Sequence, residues 1–173
     1  MDVVSILQVV GYKNSRKTTL IDNWVKELVS TDKVVSVIKH HGHANGLNLP
    51  NSETDSMKFF LSGATCSIAV DDQTIQMHQA KNSWTLQQLV QIAKISEPEV
   101  IFIEGYKQEH YEKVVILRDS KDWETLQYLT NIVCVIVHGD LKIENYPMIH
   151  IENTVLLKEW LIDWIGGDKL EII

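Results

Sequence analysis

The run Gly11-Tyr12-Lys13-Asn14-Ser15-Arg16-Lys17-Thr18 is where residue types and spacing come closest to a known chemistry. In the pattern G-x-x-x-x-G-K-[ST], backbone N–H groups cradle a polyphosphate, the lysine reaches the terminal phosphates and the hydroxyl meets Mg2+. Gly11, Lys17 and Thr18 sit at the right spacing, while Arg16 stands where the pattern has its second glycine. A side chain there either strains the loop, fills phosphate volume, or turns its guanidinium toward the phosphate and adds charge-assisted hydrogen bonds. The residues alone leave these outcomes open.

Two further clusters suit the same chemistry. Lys39-His40-His41-Gly42-His43 follows an apolar run. Its histidines admit zinc, but no compact set of Cys and His partners accompanies them. A solvated polar loop, or a loop contacting an anion or substrate at the carboxyl end of a strand, fits better. Ile101-Phe102-Ile103-Glu104-Gly105 places a carboxylate where a core strand ends, a position suited to Mg2+ or its water. Asp140, after another apolar run, reads first as a turn residue and only second as a group for the donor edge of a guanine.

These residues need a frame. Apolar runs at Val3 to Val10, Val34 to Ile38, Val100 to Ile103, Lys113 to Leu117 and Ile132 to Val137 predict strands. Between them, Leu20, Ile21, Trp24, Val25, Leu28 and Val29 share one helical face, and helices are expected near Asp55–Leu61, Thr85–Lys94, Asp122–Leu129 and Val155–Ile165. Cys66 to Val70 and Thr74 to His78, flanking Asp71-Asp72-Gln73, predict a hairpin near 64–79. Trp24, Trp160 and Trp164 fall on helical faces and read as core or interface. Short apolar strands alternating with amphipathic helices predict an α/β fold of the phosphate-loop NTPase type, a mainly parallel sheet with helices on both faces, forming one domain over 1–173.

Composition narrows the function. With 23 acidic against 16 basic residues, the net charge of −7 argues against sequence-independent nucleic-acid binding. No apolar run is long enough to span a membrane, and the N-terminus lacks a signal-peptide pattern. Cys66 and Cys134 lie in apolar runs and read as buried thiols, which suits a reducing cytoplasm.

Together, Val9-Val10-Gly11-Tyr12-Lys13-Asn14-Ser15 with Lys17-Thr18-Thr19-Leu20, Ile38 to His43, Asp55-Ser56 with Ser62-Gly63-Ala64, and Glu104-Gly105-Tyr106-Lys107 with a strand ending at Arg118 resemble the molybdopterin-guanine dinucleotide biosynthesis protein B (MobB) family. The resemblance implies a homodimeric GTP-binding adaptor that uses Mg2+, hydrolyses GTP slowly at most, and works beside the guanylyltransferase that joins GMP to molybdopterin. By position it implies that Asn14, Ser15, Lys17, Thr18 and Thr19 line the phosphates, that Glu104 serves the metal side, and that Lys39, His40, His41 and His43 form a second anion patch for the pterin phosphate. Two alternatives remain. One is a scaffold whose nucleotide site Arg16 has spoiled. The other is a small-molecule kinase, disfavoured because such a lid needs arginines and the chain has only Arg16 and Arg118.

Overall fold

The computed structural model describes residues 4–42, 46, 47 and 49–167. Contacts divide the chain into two compact units, Met1–His40 with Leu86–Ile173, and His41–Thr85.

The larger unit is built on six strands: β1 (Ser5–Gly11), β2 (Val35–Lys39), β5 (Val100–Glu104), β6 (Glu112–Leu117), β7 (Ile132–Val137) and β8 (Met148–His150). Their order is β2-β5-β1-β6-β7-β8 and every pairing is parallel. The expected parallel sheet is therefore what the chain forms. The strand β8 escapes the sequence reading because it is three residues long and follows Pro147, so it leaves no periodic signal.

Alternation along the central strands explains the double-sided core. Leu7 and Val9 of β1, Phe102 of β5, Val114 and Ile116 of β6 and Ile136 of β7 pack with helices α1 (Lys17–Val29) and α5 (Thr154–Gly166). Leu20, Ile21, Trp24 and Leu28 are the buried stripe of α1. Trp24 stacks on Phe102 at 5.7 Å and on Trp160 at 6.0 Å between ring centroids, and Trp160 stacks on Trp164, so these tryptophans are core. On the opposite face, α4 (Ser120–Leu126) covers Val10, Val115, Leu117 and Val135, and α3 (Leu86–Ala93) covers Ile38, Ile101 and Ile103. The α5 helix stops at Gly167, which takes the left-handed conformation as the Gly166-Gly167 pair suggested.

The smaller unit contains α2 (Asp55–Leu61) and the antiparallel hairpin of β3 (Cys66–Val70) and β4 (Ile75–Gln79). Ser67 Oγ ties the hairpin to α2 by donating to the Ser56 carbonyl at 2.7 Å. One expectation needs correcting here. Cys134 is fully buried in β7, and burial pushes its thiol up to about 12, but Cys66 is exposed. In a two-stranded sheet one face has no covering layer. Cys66, Ile68 and Val70 all fall on that face, so an apolar run does not guarantee burial.

Candidate functional site

In a parallel sheet the carboxyl ends of all strands share one edge, and ligands of open α/β sheets bind there. Strand order then decides which ends are neighbours. The β5 strand lies between β2 and β1, so Lys39 and Val9 both stand in register with Glu104. Gly11 stands opposite Ile116 on the other side.

The loop leaving β1 is held closed by its own sequence and by its neighbours. A Cβ at Gly11 would lie 2.7 Å from Ser15 Oγ and 2.8 Å from the Ile116 carbonyl, so only glycine fits. Asn14 and Arg16 both adopt the left-handed conformation, at φ 64° and 65°. The Arg16 position therefore keeps the backbone a glycine would supply, at a cost of about 1–2 kcal/mol for a residue with a Cβ. Its guanidinium turns to Glu152, 2.5 Å away. Tyr12 Oη lies 2.7 Å from Thr125 Oγ1, Arg118 Nη1 donates to the Lys13 carbonyl at 3.0 Å, and the buried Ser15 has its carbonyl 3.4 Å from His138 Nε2.

This loop opens onto the N-terminus of α1, where the first-turn amides of Lys17, Thr18 and Thr19 have no acceptor within the helix. Helices α4 and α5 cap such amides with Asp119 and Asn153. At α1, Arg16 offers no side-chain cap and the first turn has no acidic residue. The end of α1 thus keeps its amides and its positive dipole directed at whatever enters the loop.

Cations gather around it. Lys17 Nζ donates to the Tyr12 carbonyl at 2.6 Å and to Ser15 Oγ at 3.3 Å. Burial holds its pKa below the usual lysine value; Glu104 works against that, and the like charges of Lys107, Lys39 and Arg118 reinforce it. Lys107 Nζ sits 4.0 Å above the Tyr12 ring centroid, with the Arg118 guanidinium 5.2 Å from the same ring. Arg118 is itself aligned by a two-pronged bond to the buried Asp122, at 2.8 and 2.7 Å. A chain of net charge −7 thereby presents a local positive field at the loop. The sequence reading passed over Tyr12, Lys107 and Asp122 as site residues. Lys107 had a signal, three residues past the strand-end carboxylate, whereas Tyr12 and Asp122 gain their roles only through packing.

Beside Lys17 lies a compact oxygen pair. Thr18 Oγ1 donates to Glu104 Oε2 at 2.9 Å. Lys39 Nζ bonds Thr18 Oγ1 at 2.9 Å and pairs with Glu104 Oε2 at 3.1 Å. A hydroxyl and a carboxylate are hard oxygen donors, and they fit Mg2+ that takes its other ligands from phosphate and water. Gly105 follows at φ 97°, where a Cβ would come within 3.0 Å of His40 Cβ. His40 donates its N–H to the Glu104 carbonyl at 2.9 Å, and its ring lies 4.6 Å from that of Tyr106.

Of the residues singled out in the sequence, Gly11, Asn14, Ser15, Arg16, Lys17, Thr18, Lys39 and Glu104 thus meet at one edge, with His40 adjoining. Thr19 is exposed in the first turn of α1. His41 begins the smaller unit and His43 lies outside the described residues, so of the four residues expected to form an anion patch only Lys39 and His40 stand at this edge of the larger unit. Asp140 is exposed in the turn after β7.

Comparison with known proteins places this arrangement. The chain is 32% identical over 119 residues to a probable molybdopterin-guanine dinucleotide biosynthesis adapter protein of Bacillus subtilis (strain 168), spanning 69% of this chain and 68% of that one. It is 29% identical over 118 residues to the molybdopterin-guanine dinucleotide biosynthesis adapter protein of Haemophilus influenzae, spanning 68% and 65%. Its fold matches the crystal structure of a MobB protein homolog from Bacillus stearothermophilus with a TM-score of 0.74 and 30% identity, covering 94% of this chain and 98% of that one. Residues 6–138, which include the loop after β1 together with Lys39, Glu104 and Arg118, match the family model for molybdopterin guanine dinucleotide synthesis protein B, and the chain therefore belongs to the MobB family.

Proposed function

We propose that this chain is a GTP-binding adaptor in the assembly of molybdopterin guanine dinucleotide, acting beside the guanylyltransferase that consumes GTP and molybdopterin. The adaptor role is supported by family membership and by the names of its relatives. The nucleotide part rests on one observation: the uncapped N-terminus of α1 opens into a closed loop ringed by Lys17, Lys39, Lys107 and Arg118. The loop amides and Lys17 take the β- and γ-phosphates. Thr18 and Glu104 hold Mg2+, which when bound neutralises charge on those phosphates. Lys39 and His40 adjoin on the β2 side, where a second phosphate-bearing molecule such as the pterin would sit.

Hydrolysis in this reading is slow. The strand-end carboxylate, Glu104, is engaged by Thr18 and Lys39 rather than poised to orient a water, and Glu152 is engaged by Arg16. The adaptor acts as a homodimer, supported by the apolar, exposed face of the β3–β4 hairpin, where Ile68 pairs across with Met77 and Val70 with Ile75. A reducing, cytoplasmic setting suits its two free thiols.

Calorimetry with GTP and Mg2+, followed by displacement with ATP, tests the reading. Binding of GTP with weak displacement by ATP supports it. Preferential ATP binding overturns the guanine assignment. Silence toward both nucleotides leaves a scaffold that engages its partner without nucleotide.

A further inference from the structure

We propose that Lys39 is a resident cation in the metal position, so that a divalent ion reaches Thr18 and Glu104 only by displacing its ammonium group. The triangle is nearly equilateral: 2.9 Å from Lys39 Nζ to Thr18 Oγ1, 3.1 Å to Glu104 Oε2, and 2.9 Å between the two oxygens. Both oxygens thus already contact a positive charge. Register enforces this, because Lys39 ends β2 directly beside Glu104 at the end of β5. The side chain of Glu104 is 12% exposed and that of Lys39 is 51% exposed. The carboxylate is thus fixed, while the ammonium rides on a flexible stem that can swing away.

The inference deepens the nucleotide-and-metal reading and borrows its purpose from it, though its geometry stands alone. Two consequences follow. Without a divalent ion, the site remains charge-balanced, so a nucleotide meets a cation at the metal position even in chelator. When the ion arrives, Lys39 is released toward the incoming anion, and metal entry becomes coupled to a new phosphate contact. A lysine that merely brightened the local field would do neither.

The test begins without nucleotide. Mn2+ is titrated into isotopically labelled protein, and paramagnetic broadening of the Thr18 and Glu104 amide resonances is followed in the natural chain, Lys39→Met, Lys107→Met and the double variant Lys39→Met with Glu104→Gln. Lys39→Met is expected to broaden at about tenfold lower Mn2+, since a like charge at contact distance has gone. Lys107→Met removes a nearby charge that touches neither oxygen, and its shift is expected to stay within about threefold. Adding Glu104→Gln should erase the gain. Equal Mn2+ dependence in the natural chain and Lys39→Met overturns the proposal, as does an equal gain in Lys107→Met.

A second arm measures the dissociation constant of GTP in chelator and in saturating Mg2+. The natural chain is expected to change by less than about fivefold and Lys39→Met by more than about 20-fold, because the variant loses its stand-in cation. Parallel changes in both proteins overturn the coupling. Should neither protein bind GTP, the nucleotide reading falls, and the Mn2+ comparison still decides the role of Lys39.

Discussion

The phosphate-loop edge and the β3–β4 hairpin depart from ordinary protein surface in opposite ways. At the loop, the apolar residues are almost wholly buried and the unusual features are polar: Ser15 with no exposed surface, left-handed Asn14 and Arg16, and cations converging on Lys17. On the hairpin, the unusual features are apolar, with Ile68, Val70, Ile75 and Met77 all exposed. Preorganised polar groups on a rigid sheet suit the capture of a charged small molecule. An uncovered apolar face suits association with another protein surface. The two kinds of surface fall in different units of the chain, and the proposed function assigns one task to each.

The sharpest way to break this division is Lys17→Ala. Losing a charge-assisted contact to the terminal phosphates is expected to weaken GTP by at least about 30-fold while the melting temperature holds, as calorimetry and a thermal melt would show. An unchanged dissociation constant would remove the loop from the mechanism.

Next in size is Asp122→Ala, which leaves Arg118 without its partner and loosens its hold on the Lys13 carbonyl. Because the member left behind, Arg118, is half-exposed, losing the pair is expected to cost about 1.5 kcal/mol in urea unfolding. The Arg118 hydrogen bonds, more than burial opposes them, hold the Asp122 carboxyl below the usual carboxylate range. Its contribution is therefore complete above the unfolded-state value and is lost as the pH falls through the lowered native one. The natural chain should lose stability in that acidic window, and the variant should lack that part of the loss.

On the hairpin side, Ile68→Lys combined with Met77→Lys puts like charges on a cross-strand pair that is already exposed. Under the proposed function, sedimentation should show a dimer becoming a monomer, with GTP affinity changed by less than about threefold, since the hairpin and the loop belong to different compact units. A dimer that persists places the association surface elsewhere.

The smallest effect belongs to Arg16→Gly. Relief of left-handed strain is opposed by loss of an exposed ion pair with Glu152, so stability should rise by at most about 1 kcal/mol. Because the guanidinium already points to Glu152, GTP affinity should stay within about threefold of the natural chain. Binding by the glycine variant alone would mean that Arg16 closes the site.

Local physics made much of this legible beforehand. The loop, its flanking strand and its helix show in the spacing of Gly11, Lys17 and Thr18 and in the stripe from Leu20 to Leu28, because backbone geometry fixes both within a few turns of chain. The helix of Asp55–Leu61 and the strand of Ile132–Val137 fall where periodicity puts them. Cys66 misled because hydropathy reports what a residue prefers and not whether a second layer is there to satisfy it.

Sequence by itself determined the alternation of strands and helices, the anion-binding turn and the strand-end carboxylate, since each depends on residues close along the chain. Tertiary structure alone decided that β5 lies between β2 and β1, which brings Lys39, Thr18 and Glu104 into one triangle, and that Arg16 reaches across to Glu152. Those contacts join residues 21 to 136 positions apart. They depend on the order in which strands pair, a choice settled by the burial of whole faces and not by any short stretch of residues.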